Sequence, residues 1–150
     1  MTCKMDPYFL SDNYLLRGAS LGDVDSVHVI CEFREFEAGD PIVTTKDKNH
    51  DIMIIVEGRA RVETPQGDLI DELRAGAMIG EISFLDGKGR AANVNSVGPS
   101  KIAVIPAARL REVMAANPKL EVMIYKNAAT PLCQRLRDAN QQIEALLIPR

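Results

Sequence analysis

From Phe33 to Ile105 the apolar residues recur with a period of two, in short runs broken by glycine-bearing turns about every nine to twelve residues. No helix tolerates that punctuation. Phe33-Arg34-Glu35-Phe36-Glu37 opens the series, Ala38-Gly39-Asp40-Pro41 turns it, and Ile42-Val43-Thr44-Thr45 is a β-branched run. Lys46 to Asp51 reads as a polar loop with His50 on a solvated tip. Ile52 to Val56 is a buried strand, and Glu57-Gly58 a tight bend. Arg59 to Thr64 alternates charged with small or apolar residues, as a half-exposed strand does, and Thr64 to Asp68 turns the chain again. Leu69 to Leu73, Asn93 to Val97 and Lys101 to Ile105 supply further strands, with turns at Arg74-Ala75-Gly76 and Gly98-Pro99-Ser100. Short strands at this spacing predict an antiparallel sandwich or jelly-roll barrel.

Both flanks change to helical spacing. In 1–32, apolar Tyr8, Phe9, Leu10, Tyr14, Leu15 and Leu16 cluster at helical intervals, and Ser20 with Asp23 marks a second helix start. Val24, Val27, His28 and Cys31 are expected on its buried side, His28 at the boundary. In 106–150, Pro106 suits a first helical turn and Asn117 precedes Pro118 as an N-cap. Tyr125, Ala129, Leu132, Leu136, Ala139, Ile143 and Leu146 then form a heptad seam, which predicts a homodimer through the C-terminal helix. Pro131 lies inside it and is expected to kink or restart the helix, with Thr130 as a fresh N-cap. The fold class is thus mainly β with flanking α: an antiparallel β-roll over 33–105, an N-terminal helical segment over 1–32 and C-terminal helices over 106–150.

Within the roll, residues 79–94 stand apart. Gly80-Glu81 is followed by a short apolar turn, an Asp-Gly-Lys-Gly loop and then Arg90 with small residues after it. Backbone N–H groups, one carboxylate and one guanidinium suit a small anionic ligand. The segment is not a P-loop, because six residues separate Gly80 from Gly87 and Gly89 stands where Ser or Thr would hold magnesium. Gly87-Lys88-Gly89-Arg90-Ala91-Ala92 fits the dinucleotide fingerprint in letters only, since strands follow where a helix must open.

The spacing resembles the phosphate-binding cassette of cyclic nucleotide-binding domains, as found in catabolite-activator-type regulators and regulatory subunits of cyclic-AMP-dependent protein kinase. The family pattern is met without a gap by Gly80-Glu81, Ile82, Ser83, Phe84-Leu85, Asp86 to Gly89, Arg90, Ala91-Ala92, Asn93 and Val94. Gly39-Asp40 and Gly58 fall where the family places turns, and the likeness covers roughly residues 15 to 147. It implies that Arg90 holds the phosphate and Glu81 the ribose, with Gly80, Ile82, Ser83, Ala91 and Ala92 completing the cradle. Ala91, where the family uses Thr to favour cyclic GMP, favours cyclic AMP. A base-capping residue is expected from the last helix, with Gln134 and Arg135 as candidates. Leu85 and a hinge near Val104 to Leu110 are expected to couple the cavity to the helices.

The remaining features narrow the function. A net charge of −3 over 150 residues argues against broad nucleic-acid binding. The apolar runs are too short to span a bilayer and the start lacks the apolar core of a signal peptide, so a cytoplasmic protein is expected. Cys3, Cys31 and Cys133 show no metal or disulfide spacing and read as free thiols. No metal-ligand cluster and no Ser-His-Asp or Cys-His arrangement is legible, so neither catalytic residues nor cofactor are expected beyond the nucleotide ligand. The chain reads as a cyclic AMP sensor whose effector is a partner or a further part of a longer protein. The alternatives are a sensor fragment of a catabolite-activator-type transcription regulator and a cyclic GMP module.

Overall fold

Eight strands form two antiparallel sheets among the described residues, 8–148, of this computed structural model. Cys3 lies outside those residues. The strands are β1 Glu32–Phe36, β2 Pro41–Val43, β3 Ile52–Glu57, β4 Arg59–Glu63, β5 Leu69–Arg74, β6 Met78–Ile79, β7 Asn93–Ser96 and β8 Ser100–Ile105. One sheet has the order β1-β8-β3-β6, the other β2-β7-β4-β5. Sequence and structure agree on the fold class; the expected strands differ at their ends by a residue or two, and the short β6 is not among them.

The unbroken apolar run of β3 follows from its position. Alternate side chains leave a strand on opposite faces, and both faces of β3 are covered. Ile52 and Ile54 join the cluster under the helices, while Met53 and Ile55 enter the core between the sheets. β8, paired with β3 from Ile52↔Ile105 to Ile55↔Ile102, divides its residues the same way. The outer sheet keeps one face in water. Hence β4 alternates exposed Arg59 and Arg61 with buried Ala60 and half-buried Val62.

The helices pack on the first sheet. They are α1 Tyr8–Ser11, a 3₁₀ turn Tyr14–Leu16, α2 Leu21–His28, α3 Glu81–Asp86, α4 Ala107–Ala115 and α5 Pro118–Leu147. α2 begins in a capping box: Ser20 Oγ accepts from Asp23 N at 3.1 Å, and Ser20 N donates to Asp23 Oδ2 at 3.4 Å. Ser20→Ala is expected to lower stability by about 1 kcal/mol, read as a shift of the urea midpoint. Val24 and Val27 are buried as expected, whereas His28 and Cys31 are only partly so. The His28 ring packs near those of Phe9 and Phe33. Burial pushes the Cys31 thiol up to about 12.

Three expectations are corrected. α5 is not restarted at Pro131 but runs unbroken for 30 residues. Thr130 is not an N-cap; its Oγ1 donates back to Lys126 O at 2.8 Å. Pro131 deletes one helix bond, that of the Asn127 carbonyl, and the turns on either side carry the helix through. The loop before β3 is not a free tip either, as the site makes plain. No helix among the described residues is long and apolar enough to cross a membrane.

Candidate functional site

β6 ends at Ile79 and the chain must turn at once into α3. Gly80 makes that turn in the left-handed region (φ 90°, ψ 10°) as the N-cap residue of α3, with no capping side chain. The six-residue helix then ends at Gly87, again left-handed (φ 70°), and an irregular loop carries the chain through Arg90 to β7. These turns bring Glu81 and Arg90 to the wall of one cavity. Its sides are apolar: Val43, Val62, Leu73, Ile79 and Val94. All seven residues expected in the cradle line it, namely Gly80, Glu81, Ile82, Ser83, Arg90, Ala91 and Ala92.

The charged groups are buried. Glu81 is 3% exposed and Arg90 6%. Arg90 is held from behind: Nη2 donates to Asn49 Oδ1 at 2.7 Å and to Asp51 O at 2.8 Å, and Nη1 to Gly80 O at 3.4 Å. Nε has no hydrogen-bond partner although it is buried. An N–H of a charged group left so in a low-dielectric wall is costly unless an acceptor arrives. Burial pulls the guanidinium below its ordinary pKa, and the charges of Asp51, Asp47 and Glu81 oppose that pull.

Ser83 is locked in place. Its hydroxyl donates to Lys88 O at 2.8 Å and lies 2.6 Å from His50 Nδ1. The stretch expected as a solvated tip therefore braces the site, through Asn49 and Asp51 on Arg90 and His50 on Ser83. Only Asp51 hints at this in sequence, as the last polar residue before a buried strand. Its partners are 39 and 56 residues away.

α5 crosses the cavity mouth. Arg135 lines the cavity, and its Nη1 donates to Glu81 Oε1 at 3.1 Å. Gln134, the other capping candidate, is not in the lining and donates to Asp138 along the exposed helix. Tyr14 reaches the same corner from the N-terminal segment. Its hydroxyl is pushed up to about 12, first by burial and then by the Glu81 charge, against the opposing effect of Arg135.

The Cyclic nucleotide-binding domain family matches residues 33–117, more than half of the chain, cassette included. The chain belongs to the cyclic nucleotide-binding domain family. Two curated relatives align over most of this domain. Glutaminase 1 of Bradyrhizobium diazoefficiens is 27% identical over 137 residues, covering 91% of this chain and 22% of the relative. The cAMP-dependent protein kinase regulatory subunit of Mycosarcoma maydis is 29% identical over 107 residues, covering 69% and 20%. The chain thus spans about a fifth of the length of these curated relatives. Among solved structures, a cyclic nucleotide-binding domain from Methylobacillus flagellatus superposes with a TM-score of 0.79 at 22% identity, covering 95% of this chain and 86% of that one. That likeness speaks to the shared β-roll of the cyclic nucleotide-binding domain.

Proposed function

We propose that this domain is a cytoplasmic, non-catalytic sensor that binds a cyclic nucleotide, cyclic AMP in preference to cyclic GMP, and signals through its C-terminal helices. The observation that carries the reading is the unpartnered, buried Arg90 Nε beside buried Glu81 in an otherwise apolar cavity. A cyclic phosphodiester supplies the missing acceptor, and a guanidinium fork suits its oxygens. Glu81 can accept from the ribose 2′-hydroxyl, and the apolar walls suit a purine face. Gly80, Ile82, Ser83, Ala91 and Ala92 form the cradle around the sugar-phosphate ring. Arg135, at the mouth, is the better placed of the two base-side candidates. The presence of this family beside unlike activities in its relatives supports a regulatory module acting on a separate effector.

Dimerisation is part of the proposal. Leu136, Ile143 and Leu146 on α5 are 64%, 54% and 85% exposed, which leaves the distal seam free for a second copy.

Titration with cyclic AMP and cyclic GMP, following heat and particle mass together, tests ligand, preference and dimer. Saturable heat with cyclic AMP at the lower concentration and a mass of two chains are expected. No heat with either nucleotide overturns the reading. The preference rests on Ala91, which has no hydroxyl to offer a guanine amino group. Ala91→Thr is expected to raise the cyclic GMP to cyclic AMP affinity ratio by about threefold to tenfold, the worth of one hydrogen bond. An unmoved ratio in competition calorimetry removes Ala91 from base choice.

A further inference from the structure

Ser83 Oγ carries one proton and makes two short contacts. It lies 2.8 Å from Lys88 O and 2.6 Å from His50 Nδ1. A carbonyl can only accept, so the hydroxyl proton goes to Lys88 O. The contact with His50 must then be donated by the ring, and Nδ1 carries a hydrogen. The two bonds form a directed chain, from His50 through Ser83 to the loop that follows α3.

That chain runs directly behind the cavity wall. Ser83 and Arg90 line the cavity, and Lys88 stands two residues before Arg90. Asn49 and Asp51, on either side of His50, accept from the Arg90 guanidinium. Ser83 is 2% exposed, so water does not replace a bond that its hydroxyl loses.

The charged side chains on the segments around His50 are Lys46, Asp47, Lys48 and Asp51 on its own loop, Glu81 and Asp86 on α3, Lys88 and Arg90 after it, and Arg111 on α4. Each of the four carboxylates is engaged by another donor: Asp47 by Thr44 N, Asp51 by Ala107 N, Glu81 by Arg135 and Asp86 by Lys88 N. Among the described residues none of them forms an ion pair with His50. Carboxylates, lysines and arginines in general titrate outside pH 6–8 and imidazoles within it.

We propose that His50 is a positioning residue of the cassette, holding the loop 87–90 through Ser83, and that a second proton on its ring strengthens anion binding in the cavity. The proposal rests on reading the cavity as a cyclic nucleotide site. An imidazolium always carries Nδ1–H, whereas a neutral ring carries it in one of two tautomers. Protonation therefore secures the brace and makes its bond charge-assisted. A phosphate held by Arg90 also gives the imidazolium an anion across the wall, where charges are weakly screened. Both effects have one sign: binding takes up protons, and affinity rises as the pH falls from 8 to 6.

Calorimetry with cyclic AMP at pH 8, 7 and 6, each in two buffers of unlike ionisation heat, reads affinity and proton uptake together. Binding about threefold to tenfold tighter at pH 6 than at pH 8 is expected, with net proton uptake. His50→Ala is expected to lose both affinity and the pH slope. His50→Asn sets an amide Nδ2 near the place of the ring Nδ1 and donates at every pH, so it is expected to restore the affinity without the slope or the proton uptake. A flat wild-type profile, a slope that survives in His50→Asn, or an affinity that His50→Asn fails to restore overturns the proposal and leaves nucleotide binding intact. If neither cyclic nucleotide binds, the nucleotide reading falls, and the ring decides the brace by itself. Its nitrogen NMR shifts in the ligand-free chain at pH 8 must show the Nδ1–H tautomer, and the Nε2–H tautomer overturns it.

Discussion

Arg90→Ala is expected to weaken cyclic AMP binding by about 2–5 kcal/mol, roughly thirtyfold to several-thousandfold. The size follows from burial. A charge partner removed from a wall where Arg90 is 6% exposed leaves the phosphate desolvated and unanswered. The fold is expected to survive, because Arg90 belongs to neither apolar cluster of the core. Calorimetry paired with a thermal melt separates the two effects. Arg90→Lys keeps a point charge but not the fork, and is expected to fall between wild type and alanine. Unchanged affinity in Arg90→Ala, with the melt intact, removes the residue from the site.

Gly80→Ala is expected to damage both stability and binding. At φ 90° an L side chain costs about 1–2 kcal/mol in backbone strain alone. The added Cβ would also meet Asp51 O at 2.6 Å and press on Arg90 Nη1. Those are the groups that aim the guanidinium, so the fork must shift. Binding is expected to weaken roughly tenfold to a hundredfold, the scale of one displaced charge-assisted hydrogen bond. Gly87→Ala is the control. It is left-handed too (φ 70°), but nothing lies within 4 Å of its added Cβ. It is expected to lower the melting temperature and leave affinity alone. Equal losses of affinity in the two variants would assign the Gly80 effect to strain in α3 rather than to the aim of Arg90.

Residues near one another in the chain were legible as a unit. Period-two alternation and turn glycines predict the β-roll, since they reflect which face of each strand is covered. The cassette is contiguous, so Gly80 to Val94 can be read without knowing what surrounds it, and its seven expected residues do share one cavity. Caps were legible for the same reason: Ser20 with Asp23, and Asn117 bonded to Leu120 N at 3.2 Å, act within one helical turn. Pro131 misled because propensity counts the bond a proline removes and not the helix on both sides of it.

What crosses the chain was not legible. Asn49 and Asp51 hold Arg90 from 41 and 39 residues away, and Asp51 also meets the first N–H of α4. A polar loop that braces a site has the same composition as one in water. Between Gln134 and Arg135, sequence could not choose, because one residue turns a helical side chain by about 100° and only the packing of α5 decides which faces the cavity. The roll and the contiguous cassette that carries Glu81 and Arg90 could be read from the chain alone, because local periodicity and spacing encode them. Only the tertiary structure decided that the guanidinium keeps a buried N–H unanswered and that Arg135 closes over Glu81, because those facts depend on which distant surfaces exclude water together.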